Sequence, residues 1–434
     1  MPAAPPPSVV VIGGGAAGLT AAVFAGRAGA RVTLLERTRR GGKKIVVSGG
    51  GRCNVLPSSV EHGRFVTASS PRLLRRILDS WPLAEQRDFF ERDLGVPLAL
   101  EPETGKLFPA SNRATDVRDA LVDAARAAGA DLQFDTLVTS LEPGGAGRKP
   151  AGRTWRVGVE GAAPVDTDAI VLATGGLSVP KTGSDGFGLR VSEALGLRVE
   201  PTYPALTPLT AGGDGQGVPH AGLSGVSLDV AVRAPVPKQA GRKPSGRRGV
   251  ETAGGFLFTH RGYSGPAVLD VSHLTTLSRT DGDGGQPVLV RWADRDAGAW
   301  DAALQAPGPG TVLGELRDAL PARLAEALLA EAGVPPDRNR ADLRRDERRR
   351  LVAVLTEYPL PWTGDEGYKK AEVTGGGVAL GEVAPHSLEA RARPGLFLCG
   401  EVLDAFGPIG GYNFLWAWAT GRLAGRAAAG GAAS

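Results

Sequence analysis

Apolar residues at the start of the chain fall into short unbroken runs rather than alternation. Val9-Val-Val-Ile12 has the pattern of a parallel strand buried on both faces. Gly13-Gly-Gly-Ala-Ala-Gly18 follows, then an alanine-rich stretch to about Gly29 that predicts a helix. Arg31-Val-Thr-Leu-Leu-Glu36 reads as a second strand ending on an acid. The first 36 residues thus predict a strand–turn–helix–strand unit.

Residues 71–94 read as two amphipathic helices broken before Pro82, which can open the second. Thr115 is placed to cap a helix over 116–128, ended by Gly129. Strands are predicted at 132–141, 154–160 and Ala169–Ala173. Past residue 200, alternation over Val226–Val232, Phe256–Phe258 and Val288–Trp292 replaces the βα rhythm and predicts an antiparallel module. Residues 296–356 turn mostly helical, with Leu316, Leu320, Leu324 and Leu328 at a four-residue spacing. The arginine-rich run 338–350 also holds Asp342, Asp346 and Glu347, and so reads as a solvated helix face. From about 366 the glycine-rich style of the first domain resumes, ending in Gly395-Leu-Phe-Leu-Cys-Gly400 and a helix after Gly411. The expected organisation is one dinucleotide-type α/β domain (1–200 and 372–434) with a long insertion. That insertion comprises a β-rich part (201–295), a helical subdomain (296–356) and a return through the β-rich part (357–371).

Composition narrows the class. Of 434 residues 63 are glycine and 33 proline, yet 42% are hydrophobic and 22% charged, which rules out disorder as the account of the chain. Two cysteines far apart, Cys53 and Cys399, exclude a disulfide scaffold and suit a reducing compartment. The proline-rich start lacks the basic and apolar regions of a signal peptide. The apolar stretch 411–429 carries Arg422 and Arg426, too interrupted to span a bilayer. A cytoplasmic protein without a membrane partner is expected. The net charge of +4 is unevenly spread. Two near-identical basic segments, 146–153 and 238–248, carry +8 together and leave −4 for the remainder. Each lies between strand-like runs, as a hairpin tip would. They are either solvated loop extensions or phosphate-binding fingers for RNA.

In so glycine-rich a chain a G-x-G-x-x-G match has weight only in context. Here a strand precedes it and a helix follows. Gly13 permits the tight turn, Gly15 lets backbone approach a pyrophosphate and Gly18 lets helix pack on strand, with Ala16 and Ala17 opening the helix whose N-terminus faces the phosphates. Glu36 is placed to accept hydrogen bonds from a ribose diol. The far end of the chain decides between FAD and NAD. A strand, an acid and a helix recur there as Leu396-Phe-Leu-Cys-Gly-Glu401 and Gly410-Gly-Tyr-Asn413, the form needed to meet the ribityl and ring portions of a flavin. A second G-x-G-x-x-G, and with it a dedicated NAD(P) domain, is not visible.

At these residues the chain resembles the FAD-dependent flavoprotein family of aminoacetone oxidase-like, bile-acid ene-reductase-like and ribosomal-RNA dihydrouridine synthase-like proteins. The stretches that carry the resemblance are VIGGGAAGL (11–19), GGKKIVVSGGGRCNV (41–55), LATGGLSVPKTGSDGFG (172–188), FLFTHRGYSGPA (256–267), EVTGGGVAL (372–380) and GLFLCGEVLDAFGPIGGYN (395–413). The resemblance implies a Rossmann-like FAD-binding domain interrupted by an antiparallel β-barrel-like domain and a small helical domain. It implies non-covalent FAD along Ser48, Gly49, Gly50, Gly51, Arg52 and Asn54, with Arg52 offering charge to the pyrophosphate or substrate. Thr174 and Gly175 would approach from the far side and Gly376 near the ring. Gly400, Glu401, Gly411, Tyr412 and Asn413 would hold the ribityl end and ring. Arg37 and Lys43 complete the expected cofactor set; Lys43 and Lys44 either meet the ligands or are solvated.

Flavin carries the hydride chemistry itself, so the protein need supply position, a proton and electrostatics. Cys53 is a candidate general acid or a small packing residue; Cys399 reads as core. His260 is a candidate proton relay or a structural turn residue. His62, His220, His273 and His386 show no metal-ligand spacing with cysteines or acids, and no metal is expected. The expected function is reduction of an activated C=C bond with NAD(P)H as a transient donor, the substrate being a uracil in ribosomal RNA or a small enone. The alternatives are a flavin-dependent amine oxidase using O2 and a non-catalytic flavin-bearing RNA-binding protein.

Overall fold

The structure is a computed structural model and describes residues 5–144, 155–212, 217–235, 249–280 and 287–430. The chain divides into two compact units, one formed by residues up to Thr202 together with those from Val373, the other by Tyr203–Glu372.

The first unit is built on a five-stranded parallel sheet. Its strands are β1 (Ser8–Ile12), β2 (Arg31–Leu35), β3 (Asp131–Gln133), β4 (Ala169–Leu172) and β5 (Leu396–Leu398), in the order β5-β4-β1-β2-β3. The register sets Val9 beside Ala169 and Val32, and Ile170 beside Leu396. Val9, Val10, Val11, Ile170, Val171 and Leu172 are buried, as unbroken apolar runs require when both faces of a sheet are covered. Helix α1 (Ala16–Arg27) crosses from β1 to β2, and α2 (Tyr412–Ala428) packs against it. Their contact is unusually close, because a Cβ on Gly421 or Gly425 would overlap the carbonyl oxygens of Ala17 and Ala21. Two small antiparallel sheets flank this core. One joins Leu56–Pro57, Lys106–Pro109 and Leu98–Glu101; the other joins Val138–Pro143, Trp155–Val159 and Val165–Thr167.

The second unit holds a seven-stranded antiparallel sheet. Its order is Tyr358–Pro359, Leu289–Arg291, Ser227–Ala234, Val250–Thr259, Gly262–Ser264, Leu209–Thr210 and Gly364–Asp365. Helix Pro266–Thr280 packs on its two longest strands, and the helices Ala297–Gln305, Val312–Arg317, Ala322–Glu331 and Arg345–Thr356 follow Leu289–Arg291 in the chain. Phe256, Phe258, Trp292 and Trp300 are wholly buried here, with Phe258 and Trp292 stacked at 5.6 Å between centroids.

Four local expectations are corrected. The run 132–141 is not one strand: Asp135 takes φ +52°, ending β3, and Val138–Pro143 begins a different sheet. Thr115 is not a cap; the helix spans Ala114–Ala127, with Arg113 at the N-cap and Asp116 providing the acid of the first turn. The leucines at 316, 320, 324 and 328 are all buried, but they do not share one helix: Leu316 lies in the last turn of one, Leu320 lies just before Pro321, and Leu324 and Leu328 belong to the next. The arginine-rich run is ion-paired rather than merely solvated. Arg338 and Arg344 reach Glu347 at 3.3 and 2.9 Å, Arg340 reaches Glu315 at 3.0 Å, and Arg348 reaches Asp301 at 2.8 Å. The basic segments 146–153 and 238–248 lie outside the described residues, although each joins two strands that pair antiparallel. Among the described residues no helix is long and apolar enough to cross a membrane.

Candidate functional site

The turn between β1 and α1 assigns its glycines different tasks. Gly13 takes φ +103°, and a Cβ there would lie 2.5 Å from the Ala173 carbonyl oxygen. Gly18 sits so close to the turn that a Cβ would overlap the Gly13 carbonyl oxygen. At Gly15, the N-cap of α1, nothing lies within 4 Å of a Cβ. Two glycines are therefore closed by packing and the third opens outward. Ala16 and Ala17 start the helix behind it.

Glu36 follows β2 and is buried; its Oε2 accepts from the Gly14 N–H at 2.6 Å and its Oε1 from the Thr38 N–H at 2.8 Å. Each oxygen keeps capacity for a further donor. Arg37 beside it pairs with Asp185 at 2.5 Å. Burial opposes ionisation of Asp185, but Arg37 and the Phe187 N–H outweigh it and hold the carboxyl below its ordinary value.

A second carboxylate, Glu401, gathers four segments of chain. Its Oε1 accepts from Ser178 Oγ at 2.6 Å and from the Thr374 N–H at 3.0 Å, while its Oε2 meets Lys44 Nζ at 2.6 Å. Lys44 also donates to Ser178 Oγ at 2.6 Å. The structure thus brings Lys44 to the site and leaves Lys43 exposed. The short helix Lys43–Val47 is oriented by Gly42, whose N–H donates to the Gly14 carbonyl at 2.7 Å. Adjacent residues on a helix face different ways, and only that docking decides which lysine turns inward.

Ser48–Gly51 continues as a tight turn in which Gly49, Gly50 and Gly51 all take positive φ, and nothing lies within 4 Å of a Cβ at Gly50 or Gly51. Arg52 is held to one side: it pairs with Glu101 at 3.0 Å and its guanidinium sits 4.1 Å from the centre of the Phe108 ring. Asn54 Oδ1 and Thr174 Oγ1 are buried polar atoms that find no partner within the protein. Gly175 and Gly376 also take positive φ, and a Cβ on Gly376 would overlap the Pro201 carbonyl oxygen.

At the C-terminal side, the Gly400 N–H donates to Thr420 Oγ1 at 2.9 Å, and Trp416 Nε1 donates to the Gly400 carbonyl at 3.1 Å. A Cβ on Gly411 would lie 2.5 Å from the Leu56 carbonyl carbon. Tyr412 is buried against Phe65, and the Asn413 amide bonds the Gly407 N–H and carbonyl, both at 2.9 Å. Tyr412 and Asn413 therefore shape the loop that opens α2.

The titratable candidates separate clearly. Cys53 is wholly buried at φ +60°, and burial pushes its thiol up to about 12 despite a hydrogen bond with Ser48. Cys399 is buried too, with its thiol raised by the same cause. Thiolate is the reactive form. Native protein at pH 8 is therefore expected to take up only traces of iodoacetamide, with both thiols labelling once it is unfolded; rapid native labelling counted by mass spectrometry would contradict this burial. His260 is exposed, in the turn between the second unit's strands Val250–Thr259 and Gly262–Ser264. His220, which sequence spacing leaves without partners, meets Tyr263 at 3.1 Å, Glu331 at 2.9 Å and Tyr358 at 3.0 Å within that unit. Among the described residues no group of three or more His, Cys, Asp or Glu could hold a metal ion.

Sequence reasoning also passed over Asp404, three residues after Glu401. One of its oxygens accepts from Thr67 Oγ1 and the Ala68 N–H at 2.9 Å, and from the Ser69 N–H and Oγ at 3.2 Å. Burial nonetheless pushes its carboxyl up to about 6.

Residues 7–427 match the family described as HI0933-like protein Rossmann domain. The chain belongs to the HI0933-like family. Members are FAD-dependent oxidoreductases with a Rossmann-like FAD-binding domain. The chain is 33% identical over 413 residues to the ribosomal RNA dihydrouridine synthase of Escherichia coli, covering 92% of each chain. It is 30% identical over 421 residues to the 3-dehydro-bile acid delta(4,6)-reductase of Clostridium scindens, covering 95% of this chain and 96% of that one. Among solved structures, 3-ketosteroid delta1-dehydrogenase from Sterolibacterium denitrificans shares the fold at a TM-score of 0.51 and 14% identity, over 97% of this chain and 99% of that one.

The residues present fit FAD. The open backbone at Gly15, Gly50 and Gly51 leaves the approach a pyrophosphate needs, and Asn54 Oδ1 and Thr174 Oγ1 are unpaired among these motifs. Glu36 and Glu401 supply acceptors at two separate points, as a molecule with two sets of hydroxyls requires.

Proposed function

We propose that this HI0933-like protein is an NAD(P)H-driven reductase of an activated C=C bond, and that its substrate is a uracil of ribosomal RNA, reduced to dihydrouracil. The observation that carries this reading is the collinear similarity to the Escherichia coli ribosomal RNA dihydrouridine synthase, which leaves no large part of either chain unmatched. FAD, when bound, supplies the hydride chemistry, and the protein's own groups supply position and charge. Gly15, Gly50 and Gly51 admit backbone to the phosphates, Glu36 accepts from the ribose diol and Glu401 from ribityl hydroxyls. In the absence of a second G-x-G-x-x-G the nicotinamide docks transiently. Cys53 is a packing residue in this reading, because a thiol at about 12 in a closed site is poorly matched to proton delivery at neutral pH. His260 stays the candidate relay. The basic segments 146–153 and 238–248 serve as phosphate contacts, and the protein acts in the cytoplasm.

Nucleoside mass spectrometry of ribosomal RNA from a deletion strain tests the substrate: loss of dihydrouridine is expected, and an unchanged content overturns it. Anaerobic mixing with NADPH and NADH tests the reaction, with bleaching of the flavin by at least one of them expected. Bleaching by aminoacetone and by neither nicotinamide would establish the amine oxidase instead.

A further inference from the structure

Both carboxylates of the proposed cofactor site would face a ligand that is itself an anion, since FAD carries a charge on each of its two phosphates. An uncompensated carboxylate in a half-closed site would oppose that ligand. Glu36 is compensated by backbone, through the N–H groups of Gly14 and Thr38. Glu401 has one amide donor and one hydroxyl donor, and its remaining compensation is the Lys44 ammonium at 2.6 Å. The pair is largely covered, with side-chain exposures of 26% for Lys44 and 17% for Glu401. It is therefore screened less by solvent and salt than a surface pair.

We propose that Lys44 is a positioning residue for FAD. Its ammonium cancels the charge of Glu401 and fixes the carboxylate's orientation, so that the site offers hydroxyls an acceptor without repelling the phosphates. The three-way arrangement of Lys44 Nζ, Ser178 Oγ and Glu401 also fixes direction. Ser178 accepts from Lys44 and donates to Glu401 Oε1, which the Thr374 N–H also meets, so the capacity for a further donor is left on Oε2. Lys44 and Glu401 are 357 positions apart in the chain, so no local pattern shows the pair. The inference rests on FAD binding alone and stands or falls independently of the uracil substrate.

The test is a charge-compensation cycle read as the FAD dissociation constant, measured by quenching of flavin fluorescence as apoprotein is reconstituted. Lys44→Met leaves Glu401 unopposed and is expected to weaken FAD binding by at least tenfold. Lys44→Arg restores it to within about threefold of wild type. The double variant Lys44→Met with Glu401→Gln removes both charges, keeps an acceptor, and is expected to recover most of the loss. A role confined to holding the segments together predicts the opposite, with the double variant as weak as Lys44→Met or weaker, and that result overturns the proposal. So does wild-type affinity in Lys44→Met. Should Lys44→Met apoprotein fail to fold, Glu401→Gln alone carries the test. With Lys44 unopposed, its dissociation constant is expected to rise less than threefold and to become more sensitive to salt. A loss beyond tenfold with unchanged salt dependence overturns the proposal.

Discussion

Gly18→Ala is expected to lower the melting temperature of the apoprotein by roughly 6–12 °C, whereas Gly15→Ala leaves it within a degree or two and weakens FAD binding on the order of 100-fold. Both positions belong to the same G-x-G-x-x-G, yet the structure gives them opposite surroundings. At Gly18 a Cβ overlaps the Gly13 carbonyl oxygen and lies 3.0 Å from its carbon and 3.2 Å from Ala173 Cβ. The main obstacle is backbone, which cannot swing aside as a long side chain can, so the cost is about 3 kcal/mol or more. At Gly15 nothing lies within 4 Å, and the residue takes an ordinary extended conformation at φ −80°. Alanine there costs the fold less than about 0.5 kcal/mol. In the proposed cofactor site, what it would fill is the approach of backbone N–H groups to a pyrophosphate. Losing one or two charge-assisted hydrogen bonds at about 1.5–3 kcal/mol each weakens binding on the order of 100-fold. Differential scanning fluorimetry of the apoproteins and flavin content after reconstitution read the two effects separately. Equal destabilisation by both substitutions would show that Gly15 is a packing position and undo the assignment of the phosphate site.

Asp404 governs the second large effect, on stability against pH. Burial raises its carboxyl from the ordinary 3.8 to about 6 in the fold, against the pull of Thr67, Ala68 and Ser69. The folded state therefore holds a proton that the unfolded state has released across that interval. Stability contributed by this group is fully present below pH 3.8 and is lost as pH rises through about 6. A carboxyl held that far above its ordinary value corresponds to about 3 kcal/mol. Asp404→Asn removes the titration while keeping an oxygen toward the donors of residues 67–69. In urea titrations of the apoproteins, wild type should therefore lose about 2 kcal/mol relative to Asp404→Asn between pH 4 and pH 7.5. Parallel profiles for the two proteins would refute a raised carboxyl at this position.

What was readable in the chain, and what was not, follows the range of the interactions concerned. Val9–Ile12 and Ala169–Leu172 announce buried parallel strands because both faces of each are apolar, a property carried within a few residues. The Gly13–Gly18 turn, Glu36 and the helix after Gly411 are legible for the same reason. The four-leucine spacing also reports burial correctly, but a periodicity does not register the break at Pro321. Choosing between Lys43 and Lys44 was beyond any local pattern, since it depends on Gly42 docking to Gly14 and on an acid 357 residues away. Arg52 looks like a phosphate ligand by its place in SGGGRCN, yet Phe108 and Glu101, from the small sheet beside it, claim its guanidinium. Asp404 escaped notice because a carboxylate between apolar residues acquires its character from Thr67, Ala68 and Ser69, more than 330 residues earlier.

The interleaving of α1 with α2 has a consequence in time. Strand β4 and helix α1 are complete once residue 172 has been made, but β5, which pairs with β4, and α2, whose glycines admit the backbone of Ala17 and Ala21, come more than 220 residues later. At about 5–20 residues per second, the ribosome needs roughly 10–50 s to deliver them. Within that interval the contiguous stretch 203–372 is made whole, while β4 still waits for the strand that pairs with it. The parallel sheet of the first unit thus stays one strand short until residues 396–398 have been made.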